Sequence, residues 1–137
     1  MATYRYSICE PLNPQIIEKG AIDKELILNA FEEFPWSDHL EQMEGKKIDD
    51  IHYSPSLEFE NLATRHGLCF SIVRKELEDE FYVFYKRPAT LKSFFGLVKK
   101  QVPDHVTDVA GQTREDALKI LNAFLNDDTA YLEQIIK

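Results

Sequence analysis

Residues 51–87 read IHYSPSLEFENLATRHGLCFSIVRKELEDEFYVFYKR, and the period of that stretch decides the fold. Ile51 to Leu62, Gly67 to Lys75 and Glu80 to Arg87 are three extended segments joined by short polar breaks, which predicts an antiparallel meander. Leu57 and Phe59 alternate with Glu58 and Glu60, and Leu68, Phe70 and Ile72 alternate with Cys69, Ser71 and Val73. Each strand therefore has an apolar face and a mostly polar one. In the third segment Phe81, Val83 and Tyr85 oppose Tyr82 and Phe84, which Glu80 and Lys86 bracket. Taking the odd positions as core leaves Tyr82 and Phe84 on the outer face, beside Val73, Glu58 and Glu60 in a regular register. Two such rings on the outside of a sheet call for a cover or a binding partner.

Working outward, Thr3 to Cys9 alternates Tyr4, Tyr6 and Ile8 with Thr3, Arg5 and Ser7 and reads as a strand. Asn13-Pro14 is expected to open a short helical turn that stops at Gly20. Asp23 caps a helix in which Leu26, Ile27, Ala30, Phe31 and Phe34 recur at helical spacing, and Pro35 ends it. Ser37 is expected to cap a further short helix to about Glu44, with Gly45 as its left-handed stop. After the meander, Leu91, Phe94, Phe95, Leu97 and Val98 favour a helix over Thr90 to Val102, and His105 to Val109 supplies a last short strand. Thr113 with Asp116 makes a capping box for a helix carrying Ala117, Leu118, Leu121, Phe124 and Leu125. Asn126-Asp127-Asp128 turns the chain into a final helix. The fold class is α+β: an antiparallel sheet of four or five strands around the central three-strand meander, with N-terminal and C-terminal helices covering one face.

A chain of 137 residues is sized for a single domain that buries about 65–70% of its unfolded surface. Its 44% hydrophobic and 29% charged residues exclude both a disordered chain and a disulfide scaffold. Cys9 and Cys69 stand alone, without a CxxC or Cys/His pairing, and read as reduced thiols in small core positions. The longest run without a charged side chain is His66 to Val73, far short of a membrane span. The Met1-Ala-Thr-Tyr-Arg start lacks the basic and apolar regions of a secretory signal, so the expected location is the cytoplasm. Net charge is -8 and unevenly placed, since residues 1–50 hold 5 basic and 11 acidic side chains and residues 104–137 hold 3 and 7. Such a field repels a phosphate backbone and speeds encounter with a basic protein.

Catalytic signatures are absent from the sequence. No GxSxG elbow or SxxK pair announces a nucleophilic serine, and His52 with Ser54 lie about 7 Å apart along one strand side, too far for a hydrogen bond. The five isolated glycines form neither a phosphate loop nor a dinucleotide fingerprint, so no cofactor is expected. Asp104, His105 and Asp108, and Asp38, His39 and Glu41, are the nearest approaches to metal clusters, and neither repeats a spacing that coordination geometry demands. Phe81 to Pro103 is the most unusual local composition: Lys86, Arg87, Lys92, Lys99 and Lys100 with no acid, interleaved with Phe84, Tyr85, Phe94 and Phe95. Basic residues among aromatics suit an anion or a nucleic-acid strand, but the overall charge makes nucleic acid a poor partner.

These readings point to a non-enzymatic binding protein with a basic protein partner, and the small, acidic, motif-free profile is one shared by many bacterial inhibitor and immunity proteins. The expected partner surface is Glu58, Glu60, Tyr82, Phe84 and Lys86. The alternative is a small hydrolase-like enzyme with a site assembled around His52, His105 and nearby carboxylates, and a third reading is an anion-binding module using Lys86, Arg87 and Lys92.

Overall fold

In the computed structural model, which describes residues 3–76, 78–93 and 98–137, the meander strands form the middle of a six-stranded antiparallel sheet ordered β2-β1-β3-β4-β5-β6. The strands are β1 (Tyr4–Cys9), β2 (Ile17–Ile22), β3 (Ser56–Asn61), β4 (Gly67–Val73), β5 (Glu80–Ser93) and β6 (Val98–Gln112). The helices are α1 (Lys24–Glu33), α2 (Trp36–Met43), α3 (Arg114–Leu125) and α4 (Thr129–Ile135). The class is α+β as expected, with more strands than the four or five that periodicity gives.

The additional strand is β2. The segment after Pro14 is not a helical turn; it folds back along β1, pairing Tyr4 with Ile22 and Ile8 with Ile17, and so satisfies backbone groups that would otherwise line a bare edge. A bulge between Tyr6 and Ser7 is absorbed at Gly20, whose φ of +84° a residue with a Cβ adopts only with strain. The first meander segment is shorter than its pattern, because Pro55 offers no N–H. Residues 51–55 are tied down instead by His52 N–H donating to the Pro11 carbonyl at 2.8 Å and Ile72 N–H donating to that of Pro55 at 3.2 Å.

The helix expected over Thr90 to Val102 is also absent. β5 continues to Ser93 and β6 starts at Val98, with Ala89 opposite Val102 and Lys92 opposite Lys99, while residues 94–97 lie outside the described residues. Pro88 falls at the register shift between Arg87 and Ala89, where a missing N–H removes nothing from the ladder. β4 ends its pairing with β5 at Gly67 opposite Lys86, so the distal part of β5 and β6 forms a two-stranded ribbon beyond the sheet.

All four helices lie on one side. Leu57, Phe59, Leu68, Phe70, Phe81, Val83 and Tyr85 point at them and join one buried cluster with Ile27, Phe31, Trp36, Leu121, Phe124 and Leu132. Phe31 sits 5.0 Å from Phe70, 5.4 Å from Phe81 and 5.4 Å from Trp36 between ring centroids. The indole N–H of Trp36 donates to the Phe31 carbonyl at 3.0 Å, which folds α2 back under α1. Pro35, rather than Ser37, occupies the position before α2. The capping box of α3 is complete, with Asp116 N–H donating to Thr113 Oγ1 at 3.0 Å and Thr113 N–H donating to Asp116 Oδ2 at 3.1 Å. Asp128 caps α4 through Tyr131 N–H at 3.2 Å.

Candidate functional site

Among the described residues, the far side of the sheet carries no helix, and its side chains fall into rows set by register. One row runs Ala21, Arg5, Glu60, Gly67, Lys86, Val106; the next runs Glu18, Ser7, Glu58, Cys69, Phe84, Asp108. Cys9, Ser56, Ser71 and Tyr82 follow, and Val73 opposite Glu80 completes the face. Adjacent members of a row are about 4.8 Å apart across strands.

The residues expected to meet a partner are all here, in two different states. Glu60 is closed off: Arg5 Nη2 stands 3.0 Å from its Oε1 and Lys86 Nζ 3.8 Å from its Oε2, and its side chain is only 11% exposed. Gly67 lies between Glu60 and Lys86, and a Cβ there would come within 3.3 Å of the Lys86 Cε, so the glycine lets the pair close over it. Arg5 and Lys86 are thereby both spent on one acid. Glu58 and Asp108 are exposed and join no ion pair among the described residues. Phe84 lies between them in the row and stacks on Tyr82 of the next row, both half-buried, with centroids 4.7 Å apart and planes 15° from parallel. Desolvation, and then the Asp108 charge alongside, raise the Tyr82 hydroxyl above its ordinary pKa.

Both cysteines belong to this face and not to the core. Cys9 ends β1 opposite Ser56, and Cys69 sits opposite Glu58 and Phe84; both are half-buried and unbridged. Burial, with Glu58 adding to it, pushes the Cys69 thiol up to about 12, and burial raises Cys9 as well. The raised values disfavour the thiolate form of both cysteines in the folded protein.

The other candidate groups do not converge. His52 is exposed at the Cys9–Ser56 end of the sheet, whereas His105 lies opposite Arg87, on the helix side and at the other end. In the Asp104, His105, Asp108 set, strand alternation puts His105 on the side away from Asp108, which faces outward beside Phe84. In the Asp38, His39, Glu41 set, His39 turns inward against Phe34 while both acids are exposed. Of Lys86, Arg87 and Lys92, the first is held by Glu60 and the second is buried, so no shared anion site forms from these two.

A polar cluster that sequence reasoning missed lies under the helices. The Arg87 guanidinium stacks 4.4 Å over the Tyr85 ring, and its Nη1 donates to Thr107 Oγ1 at 2.6 Å and to the Tyr85 carbonyl at 3.1 Å. Thr107 passes the bond on to the Ile136 carbonyl at 3.0 Å, and Arg87 Nε stands 3.6 Å from Glu133 Oε1. Tyr85 Oη shares a hydrogen bond with His66 Nδ1 at 3.2 Å. The cluster binds the end of α4 to the sheet. The alternation that places Arg87 inward was readable, but Thr107 on β6 and Glu133 on α4 are distant in the chain, as is the His66 that meets Tyr85.

Burial holds the His66 imidazole below its ordinary pKa; Asp127 and Glu133 oppose the shift and Arg87 adds to it. The folded protein thus binds a proton at His66 less readily than the unfolded chain. The contribution of His66 to stability is full above the unfolded pKa of about 6.5 and is lost as pH falls below it toward the lower folded value. Thermal melts at pH 7.5 and 5.5 are expected to show a larger drop for the parent than for His66→Gln. An equal drop would place the titration elsewhere.

Among the described residues, no helix is long and apolar enough to cross a membrane. Compared with known proteins, the chain matches no family model, no curated sequence and no solved structure.

Proposed function

We propose that this is a non-enzymatic binding protein that presents the open face of its sheet to a basic protein and neutralises it, in the manner of an inhibitor. The observation that carries the reading is Phe84, lying in the row between Glu58 and Asp108 and stacked on Tyr82 of the next row, while Arg5 and Lys86 are tied up by Glu60. Aromatic anchors with uncompensated charge beside them suit an interface whose partner carries the opposite sign. A second copy of the chain is a poor occupant, because Glu18, Glu58, Glu80 and Asp108 would meet their own kind. The net charge of -8 disfavours nucleic acid in the same way. Two unbridged cysteines accord with a reducing cytoplasm.

A photo-crosslinking residue at position 82, with position 119 on the exposed side of α3 as control, tests this in the native cell. The expected adduct at 82 is a protein of net positive charge. Binding of that partner, purified, should fall at least about tenfold in the Glu58→Lys/Asp108→Lys variant and should slow as salt is added. No adduct at 82, adducts from 119 alone, or a partner indifferent to the charge reversal would each sink the reading.

A further inference from the structure

The depression beside Phe84 has the chemistry of an arginine receptor, and we infer that it takes one arginine side chain of the basic partner; this rests on the docking reading above. Tyr82 covers one side of the Phe84 ring. On the side toward Lys86 a hollow of about 250 Å³ opens, lined by Glu58, Gly67, Cys69, Phe84, Lys86 and Val106. It exists because the rows narrow at two small residues: Gly67 contributes no side chain and Cys69 a short one, while Phe84, Lys86 and Val106 stand up around them.

The lining sorts the possible occupants. An anion finds Lys86 as its cation, but that ammonium already faces Glu60 at 3.8 Å, and Glu58 repels the newcomer. A purely apolar side chain would desolvate the Glu58 carboxylate without a partner for it. The protonated thiol of Cys69 adds no charge to the hollow. A side chain with an apolar stem and a cationic head satisfies every wall: methylenes against Val106 and Cys69, the head against Glu58 and the Phe84 ring. Arginine fits better than lysine, since a planar, weakly hydrated guanidinium stacks on a ring and meets a carboxylate with two parallel N–H groups. Val106, 49% exposed beside Lys86, finds its contact in that stem.

The test uses the full chain, labelled with ¹⁵N, titrated with N-acetyl-L-arginine amide, N-acetyl-L-lysine amide and the neutral N-acetyl-L-citrulline amide. The expected result is a saturable shift with arginine at the amides of Gly67, Cys69, Phe84 and Val106, at least about threefold tighter than lysine, and no saturation with citrulline. Glu58→Gln and Phe84→Leu should each weaken it severalfold, and Glu115→Gln, on α3, should not. Because Glu58 is exposed, its variant keeps the test valid even where Phe84→Leu disturbs the sheet. The inference is overturned by equal shifts with arginine and lysine, by shifts scattered over the acids of α3, by indifference to Glu58→Gln, or by no saturation up to about 50 mM. Loss of the arginine site with position 82 still crosslinking a basic protein would end this inference alone. An arginine site with crosslinks only from position 119 would end the docking reading alone.

Discussion

Phe31→Ala is expected to lower the unfolding free energy by about 4 kcal/mol, within the range of about 3–5 kcal/mol for removing a buried phenylalanine. Phe31 is fully buried and is the one ring of α1 that touches β4, β5 and Trp36 together. It also lies under the Arg114 guanidinium, 5.7 Å from its ring centroid, so α3 loses a contact with it. Four neighbours held by separate elements collapse poorly into the space, which places the loss toward the upper part of the range. For a chain of this size that is a fall of about 12–20 °C in melting temperature. Phe31→Leu keeps most of the volume and is expected to cost about 1.5 kcal/mol or less. Denaturant titrations of both variants check this. A loss below about 2 kcal/mol for the alanine would mean that α1 and α2 close onto the sheet without Phe31.

Arg87→Ala is expected to cost about 2–3 kcal/mol. Removing one partner of a buried ion pair costs more than that when the other charge stays buried. Here Glu133 is 58% exposed and returns to water, so its share is small. The loss comes from the Tyr85 carbonyl and Thr107 hydroxyl, which give up a charged donor, and from the Tyr85 ring face left uncovered. Arg87→Met restores the packing along the stem and is expected to recover about half of the loss. Amide exchange locates the effect: α4 and the β6 amides near Thr107 should exchange faster, while α1 and β1 should not. Uniform acceleration across the molecule would show that the cluster supports the whole fold and not the C-terminal helix in particular.

The outward sheet face that we propose for the partner was legible in the strand alternation. Glu58, Tyr82 and Phe84 point outward because a period of two leaves no other choice once Leu57, Phe59, Phe81, Val83 and Tyr85 turn inward. What alternation conceals is the state of each outward residue. Glu60 reads as a free carboxylate in sequence, yet it is buried beneath Arg5 and Lys86, since β1 and β5 each bring a cation to the row that β3 passes through. Asp108 reads as part of a metal-like cluster and instead flanks Phe84, because β6 pairs directly with β5 and its alternation turns His105 away.

Local pattern determined the meander, its inward and outward faces, the capping box of α3 and the α+β class, since each depends on neighbours a few residues apart. Pairing decided the rest. An edge strand at Ile17–Ile22, two long strands where apolar spacing suggested a helix, and the hollow over Gly67 all arise from backbone groups and side chains distant in the chain. Their energies enter only when the sheet brings them side by side, where an unpaired edge outweighs a weak local preference for a turn.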